Sequence, residues 1–144
     1  MKYFTIKELT RSGKAIELKI DNTPPKEIVT NLTALVDNTL DPLRTLWGKP
    51  LKVNSGYRCP RLNTAIGGAT KSAHLFGYAA DITAGSKDAN KQLWEKLINS
   101  DIPYTKVINE MNFSWIHIAY ETGNVSKIKM RGVKINGVWK YYNV

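Results

Sequence analysis

Apolar residues recur at helical spacing through one long stretch of the chain: Ile28, Val29, Leu32, Leu35, Val36, Leu40, Leu43, Leu46 and Trp47. Steps of three and four residues place them on one stripe, so the spacing predicts an amphipathic helix whose stripe belongs to the core. Thr23-Pro24-Pro25 opens it, with a threonine suited to the cap and prolines tolerated in the first turn. Gly48 and Pro50 supply the stop. Pro42 lies inside the run and predicts either a kink or two helices end to end. A second amphipathic helix is predicted over residues 88–99, with Leu93, Trp94, Leu97 and Ile98 on one face. Thr5-Ile6-Lys7-Glu8 has the capping-box pattern and predicts a short helix near the N-terminus.

The remaining patterned segments read as strands. Residues 14–20 alternate in part and suggest a strand or extended segment, and Leu51–Ser55 a second strand. Gly56 to Gly68 is rich in turn residues. Tyr104–Glu110 and Trp115–Tyr120 look like paired strands, and Asn136-Gly137 between apolar-rich flanks marks a terminal hairpin with a type I′ turn. Helices and strands mix without a βαβ rhythm, so the expected class is α+β, a small antiparallel sheet packed with helices.

Length and composition narrow this further. The 144 residues carry no repeat and no linker-like stretch, which predicts a single domain over residues 1–144. With 42% apolar and 23% charged residues the chain reads as globular, and no apolar run approaches a membrane span. The formal net charge of +9 favours polyanionic surroundings without choosing among them. No nucleic-acid motif accompanies the charge, so nucleic acid is not an expected partner. A lone cysteine, Cys59, excludes an internal disulfide and a cysteine-rich metal site; a small buried thiol is its simpler reading.

The chain has two histidines, each in a distinctive setting. His74 lies in Ser72-Ala73-His74-Leu75-Phe76-Gly77-Tyr78-Ala79-Ala80-Asp81. In one straight strand His74 and Asp81 would face opposite sides, but Gly77 near the midpoint permits a turn or bulge that brings them together. His117 lies in Trp115-Ile116-His117-Ile118-Ala119-Tyr120, sharing a strand face with Trp115 and Ala119. A hairpin through residues 111–114 would set Glu110 opposite Trp115 and make Glu110 and His117 diagonal neighbours on one face. Two histidines and an aspartate form a three-donor set with one position open, the composition of catalytic zinc sites. Such a site needs a carboxylate to take a proton from water and return it to the leaving amine, and Glu110 is placed for that. The plainer alternatives are structural histidines, a turn aspartate at Asp81 and a solvated strand-end charge at Glu110. No serine sits in a nucleophile-elbow context.

Taken together, Ser72-x-His74-x-x-Gly77-x-Ala79-x-Asp81 resembles the signature of the M15 family of zinc D-Ala-D-Ala peptidases. Leu40-Asp41-Pro42-Leu43-Arg44, Ser55-Gly56-Tyr57-Arg58-x-Pro60-x-x-Asn63 and Trp115-Ile116-His117 resemble further blocks of its small, phage-associated M15A-type branch. The resemblance runs from about Phe4 to Tyr120. It implies the fold shared by D-Ala-D-Ala peptidases and the hedgehog signalling domain, and zinc held by His74, Asp81 and His117. It implies that Arg58 engages substrate near the cleaved bond and that Ser72 contacts a substrate carbonyl, beside the alternatives of a structural arginine and a hydroxyl that fixes the turn. Several M15 members carry an acidic residue where this chain has Ser114. A hedgehog-like arrangement puts a glutamate at the end of the preceding strand instead, and Glu110 fits that pattern as the base. Tyr57, Phe76, Tyr78 and Trp115 are candidates for the groove or for packing.

The implied function is hydrolysis of D-amino-acid bonds in peptidoglycan stem peptides, as a carboxypeptidase or a crosslink endopeptidase. The contrasting reading is a non-catalytic, zinc-stabilised wall-binding or virion module, to which the absence of an acid at position 114 would point. The basic C-terminal residues Lys127, Lys129, Arg131, Lys134 and Lys140 suggest contact with anionic wall polymers. The chain is expected to act as a monomer. No secretory leader pattern follows Met1, so delivery to the wall through another protein's pore, or as part of a virion, is the expectation.

Overall fold

The computed structural model describes residues 1–144. Six helices and six strands form an α+β fold in which one face of a single sheet is covered by helices and the other carries polar and aromatic groups. The helices are α1 (Ile6–Thr10), α2 (Gly13–Glu17), α3 (Lys26–Leu35), α4 (Asp41–Trp47), α5 (Pro60–Ala65) and α6 (Lys87–Ile98). The strands are β1 (Lys52–Ser55), β2 (Ala79–Thr83), β3 (Lys106–Glu110), β4 (Trp115–Ala119), β5 (Ile128–Ile135) and β6 (Val138–Asn143). Their order across the sheet is β1-β2-β4-β3-β5-β6. Every pairing is antiparallel except β3 with β5, so the sheet is mixed where an antiparallel one was expected.

Most of the helical stripe behaves as its spacing predicts: Leu32, Leu35, Val36, Leu40 and Leu43 are fully buried, whereas Leu46, near the end of α4, is exposed. They pack with Ala80, Ile82, Val107, Ile116 and Ile118 from the covered face of the sheet. Pro42 lies in the first turn of the second of two helices set end to end, one of the two arrangements expected. Val36–Leu40 forms a π turn between α3 and α4, and this wider turn accommodates a residue that has no N–H to donate. Asp41, beside it, accepts from the backbone nitrogens of Lys2 and Tyr3 and so ties down the N-terminus.

Three expectations need correcting. Residues 14–20 are not a strand: Ser12 accepts from Ala15 N at 3.1 Å and caps α2, because a serine before a short run can satisfy orphan helix donors. The stretch from Gly56 to Gly68 is not all turn; Pro60 starts α5, where its missing N–H costs nothing. The long helix opens after Pro25 and not at Thr23, whose N–H and hydroxyl both donate to Asp21 Oδ1 in a local turn. The Thr5 cap, α6 and the terminal hairpin stand as read, with Asn136 (φ 51°) and Gly137 (φ 78°) both left-handed as a type I′ turn requires. No helix is long and apolar enough to cross a membrane.

Candidate metal centre

The uncovered face of the sheet is organised in cross-strand rows. Asp81 on β2 pairs with His117 on β4, and His117 pairs with Ile108 on β3. In the next row Trp115 pairs with Glu110, Glu110 with Gly132 on β5, and Gly132 with Tyr141 on β6. The register expected at the β3–β4 hairpin is therefore the one observed, and Glu110 and His117 share a face as diagonal neighbours.

His74 reaches this face from outside the sheet. It sits in a single 3₁₀ turn, Ala73–Phe76, capped by Ser72, whose hydroxyl accepts from His74 N at 3.2 Å. Gly77 ends the turn at φ 72°, and a Cβ there would lie 2.9 Å from both Ile28 Cγ2 and Ile28 O. Both the left-handed backbone and the close packing against α3 therefore demand glycine. The chain then enters β2, and four residues later Asp81 faces the imidazole.

The three side chains meet closely. His117 Nδ1 lies 2.9 Å from Asp81 Oδ1, and His74 Nε2 lies 3.3 Å from Asp81 Oδ2. One donor atom from each residue falls within 4.8 Å of the others. His74 is 2% exposed. Its Nδ1 is 2.7 Å from Gly56 O; a carbonyl only accepts, so Nδ1 carries the proton and Nε2 presents its lone pair to the centre. Gly56 is itself specified by packing, since a Cβ there would come 2.1 Å from Leu9 O at the end of α1. Burial alone would raise the Asp81 carboxyl, but in the metal-free protein protonated His74 and His117 outweigh it and hold Asp81 below the usual carboxylate range; a cation held by the two rings would act in the same direction.

Glu110 is 6% exposed, and its Oε2 is buried without a hydrogen-bond partner. It is not a solvated strand-end charge. Burial pushes its carboxyl up to about 7, with His117 opposing the rise and Asp81 adding to it. The turn that follows is unusual: Met111, Asn112 and Phe113 all have positive φ, between 48° and 63°. The buried Asn90 of α6 holds it, donating to Phe113 O at 2.8 Å and to Ser114 O at 3.3 Å while accepting from Ala84 N at 2.6 Å. Ser114 spends its hydroxyl within the turn, on Met111 O at 2.7 Å.

Arg58 borders the same cleft. Asn22 fixes the backbone on either side of it, donating to Tyr57 O and accepting from Cys59 N. Its Nη2 lies 3.4 Å from Ser72 Oγ, and its Nε is buried with no partner. Burial lowers the guanidinium's affinity for its proton and the Asp81 carboxylate partly restores it. Gly68 leaves the space that Arg58 and Asn63 fill; a Cβ there would sit 2.1 Å from Asn63 Oδ1. Ser72 thus serves the turn and touches Arg58.

Of the four aromatic candidates, Tyr57 is buried in the core and lines no groove. Phe76 stacks on Tyr78 outside the cluster, and Tyr78 and Trp115 border the cleft. Cys59 is partly buried between the main core and a small satellite cluster. Three residues that contribute to the site carry no mark in the sequence: Asn90, Gly132 and Tyr141. A Cβ at Gly132 would meet Glu110 Oε2 at 2.6 Å and Tyr141 Cε1 at 2.7 Å, so this glycine lets the tyrosine ring approach the carboxylate. Burial raises the Tyr141 phenol, and the charges of Glu110 and Asp81 add to it.

A buried donor set of two imidazoles and one carboxylate, beside an unpartnered glutamate, defines the class: a metal-dependent hydrolase centre. The sequence model of the family described as Peptidase M15 matches residues 2–119. The chain belongs to the M15 peptidase family. A 39-residue stretch is 49% identical to the zinc D-Ala-D-Ala carboxypeptidase of Streptomyces albus G, covering 27% of this chain and 15% of that relative. Zinc is the metal that fits, because it favours nitrogen and carboxylate donors in a small tetrahedral set.

Proposed function

We propose that this chain is a zinc peptidase that hydrolyses bonds next to D-amino acids in peptidoglycan stem peptides. His74, Asp81 and His117 would hold the ion. The supporting observation is the buried Glu110 carboxylate, with one oxygen unpartnered, on the same sheet face as the three donors. The named activity of the Streptomyces albus G relative supports the choice of substrate class.

When bound, zinc supplies positive charge that polarises a carbonyl and makes water easier to deprotonate. Glu110 accepts the proton of the attacking water, and its raised pKa near neutrality suits it to both accept and return that proton. The hydroxyl of the water goes to the acyl carbon, the C–N bond breaks, and Glu110 delivers the proton to the leaving nitrogen. Arg58, whose side chain lines the cleft, binds a substrate carboxylate or carbonyl near that bond. Asn90 holds the left-handed turn and so keeps the end of β3 in register beneath the substrate.

The absence of an acid at position 114 does not favour a non-catalytic module, because Glu110 occupies the site instead and Ser114 is engaged in its turn. The discriminating experiment is Glu110→Gln. Zinc binding close to wild type, with turnover of stem peptides reduced about 100-fold or more, supports Glu110 as the proton carrier. Turnover unchanged in that variant removes it from the mechanism.

A further inference from the structure

The segment beyond residue 119 lies outside the stretch that matches the family, yet it forms part of the cleft. β5 joins the sheet by pairing in parallel with β3, and β6 then carries Trp139 and Tyr141 onto the same face as Glu110. The rings of Trp139 and Tyr141 stack with 12° between their planes and centroids 6.1 Å apart. Trp115 meets Trp139 edge to face at 6.2 Å. Trp139 and Tyr141 remain 38% and 46% exposed, so this wall is presented to the cleft and is not consumed by packing.

The cleft has two lobes that meet at His117 and Tyr141. One, of about 430 Å³, runs away from the cluster past Tyr78 to Lys71 and Lys106. The other, of about 440 Å³, contains His74, Asp81 and Glu110, and Arg58, Trp115 and Trp139 line it and not the first lobe. Each is large enough for a small-ligand site, which spans roughly 300–1,000 Å³. If Arg58 marks the leaving-group side, that side would have to hold only a few heavy atoms in an enzyme that releases one terminal alanine. A water takes about 30 Å³. The lobe holds the metal donors and Glu110 as well, and the wall that it offers beside Arg58 is aromatic.

We infer that this chain cleaves internal bonds, with the β5–β6 hairpin forming a leaving-side subsite in which Trp139 and Tyr141 contact a residue beyond the one next to the cleaved bond. The inference rests on the zinc peptidase reading above. Aromatic faces reward a longer leaving segment by burying its apolar surface, of which a lone alanine offers little.

Two synthetic D-amino-acid peptides with the same acyl side test this on the zinc-loaded full chain. One ends in a single free-acid D-alanine after the cleaved bond; the other continues for three residues and ends in an amide. The expected result is a kcat/KM about tenfold or more higher for the longer peptide. Trp139→Ala should bring the ratio of long to short towards one, and Trp139→Phe should restore most of it. A preference for the short free acid, or a ratio that Trp139→Ala does not move, overturns the inference and leaves the peptidase reading standing. Cleavage of neither peptide, nor of natural stem peptides, would overturn both.

Discussion

Asp81 and His117 stand directly opposite each other on β2 and β4, with His117 Nδ1 2.9 Å from one Asp81 oxygen while the other oxygen meets His74. The sheet register, and not loop conformation, therefore sets the distance between two of the three donors. A site built on paired strands holds its geometry tightly. Replacing Asp81 with Ala should weaken zinc affinity by about 100-fold or more, beyond the 10–100-fold typical of losing a supporting residue. Competition with a chelating dye measures it; an affinity within a few-fold of wild type would remove Asp81 from the ligand set.

Gly56 joins two requirements. Its carbonyl fixes the His74 tautomer, and its Cα hydrogen faces Leu9 O, where a methyl would lie at 2.1 Å. Gly56→Ala should cost about 2–3 kcal/mol by forcing backbone apart, and should also lower zinc affinity through the displaced carbonyl. Chemical denaturation with and without zinc separates the two effects.

Glu110 makes the zinc-stripped protein sensitive to pH in a stated direction. Its folded pKa of about 7 lies above the ordinary 4.5, so folding favours the protonated form. Its contribution to stability is full below 4.5 and is lost as pH rises through about 7. Glu110→Gln should therefore stabilise the stripped protein at pH 8, by about 1 kcal/mol after allowing for solvent screening, and should make little difference at pH 4. Thermal melts of both proteins across this range in the presence of chelator check the sign.

Asn90 is 1% exposed and bridges α6 to the turn after Glu110. Asn90→Ala strands two carbonyls and the Ala84 N–H, with an expected cost of about 2 kcal/mol. Because the turn holds three left-handed residues, its release should also lower kcat more than it raises KM, with zinc affinity retained. A loss confined to stability would make Asn90 structural only.

The donor set was legible because its spacing carries mechanism: a glycine break between His74 and Asp81, and strand alternation around His117. The Glu110 register followed from the length of a local hairpin. The parallel joining of β3 to β5 was not legible, since no turn residue announces a pairing between strands that are not neighbours in sequence. Gly132, Trp139 and Tyr141 therefore gave no sign of meeting Glu110. Asn90 reads as a surface position of α6 until the turn it holds is seen. Residues 14–20 read as extended because α2 is too short to show helical periodicity.

The central claim is zinc-dependent hydrolysis of D-amino-acid bonds at this cluster. Mass spectrometry of purified stem peptides after incubation with the zinc-loaded chain, beside a chelated control, tests it most directly. The account predicts a hydrolysed product that appears only with zinc and is lost in His117→Ala. An unchanged mass spectrum across several wall types, from protein shown to hold zinc, would contradict it.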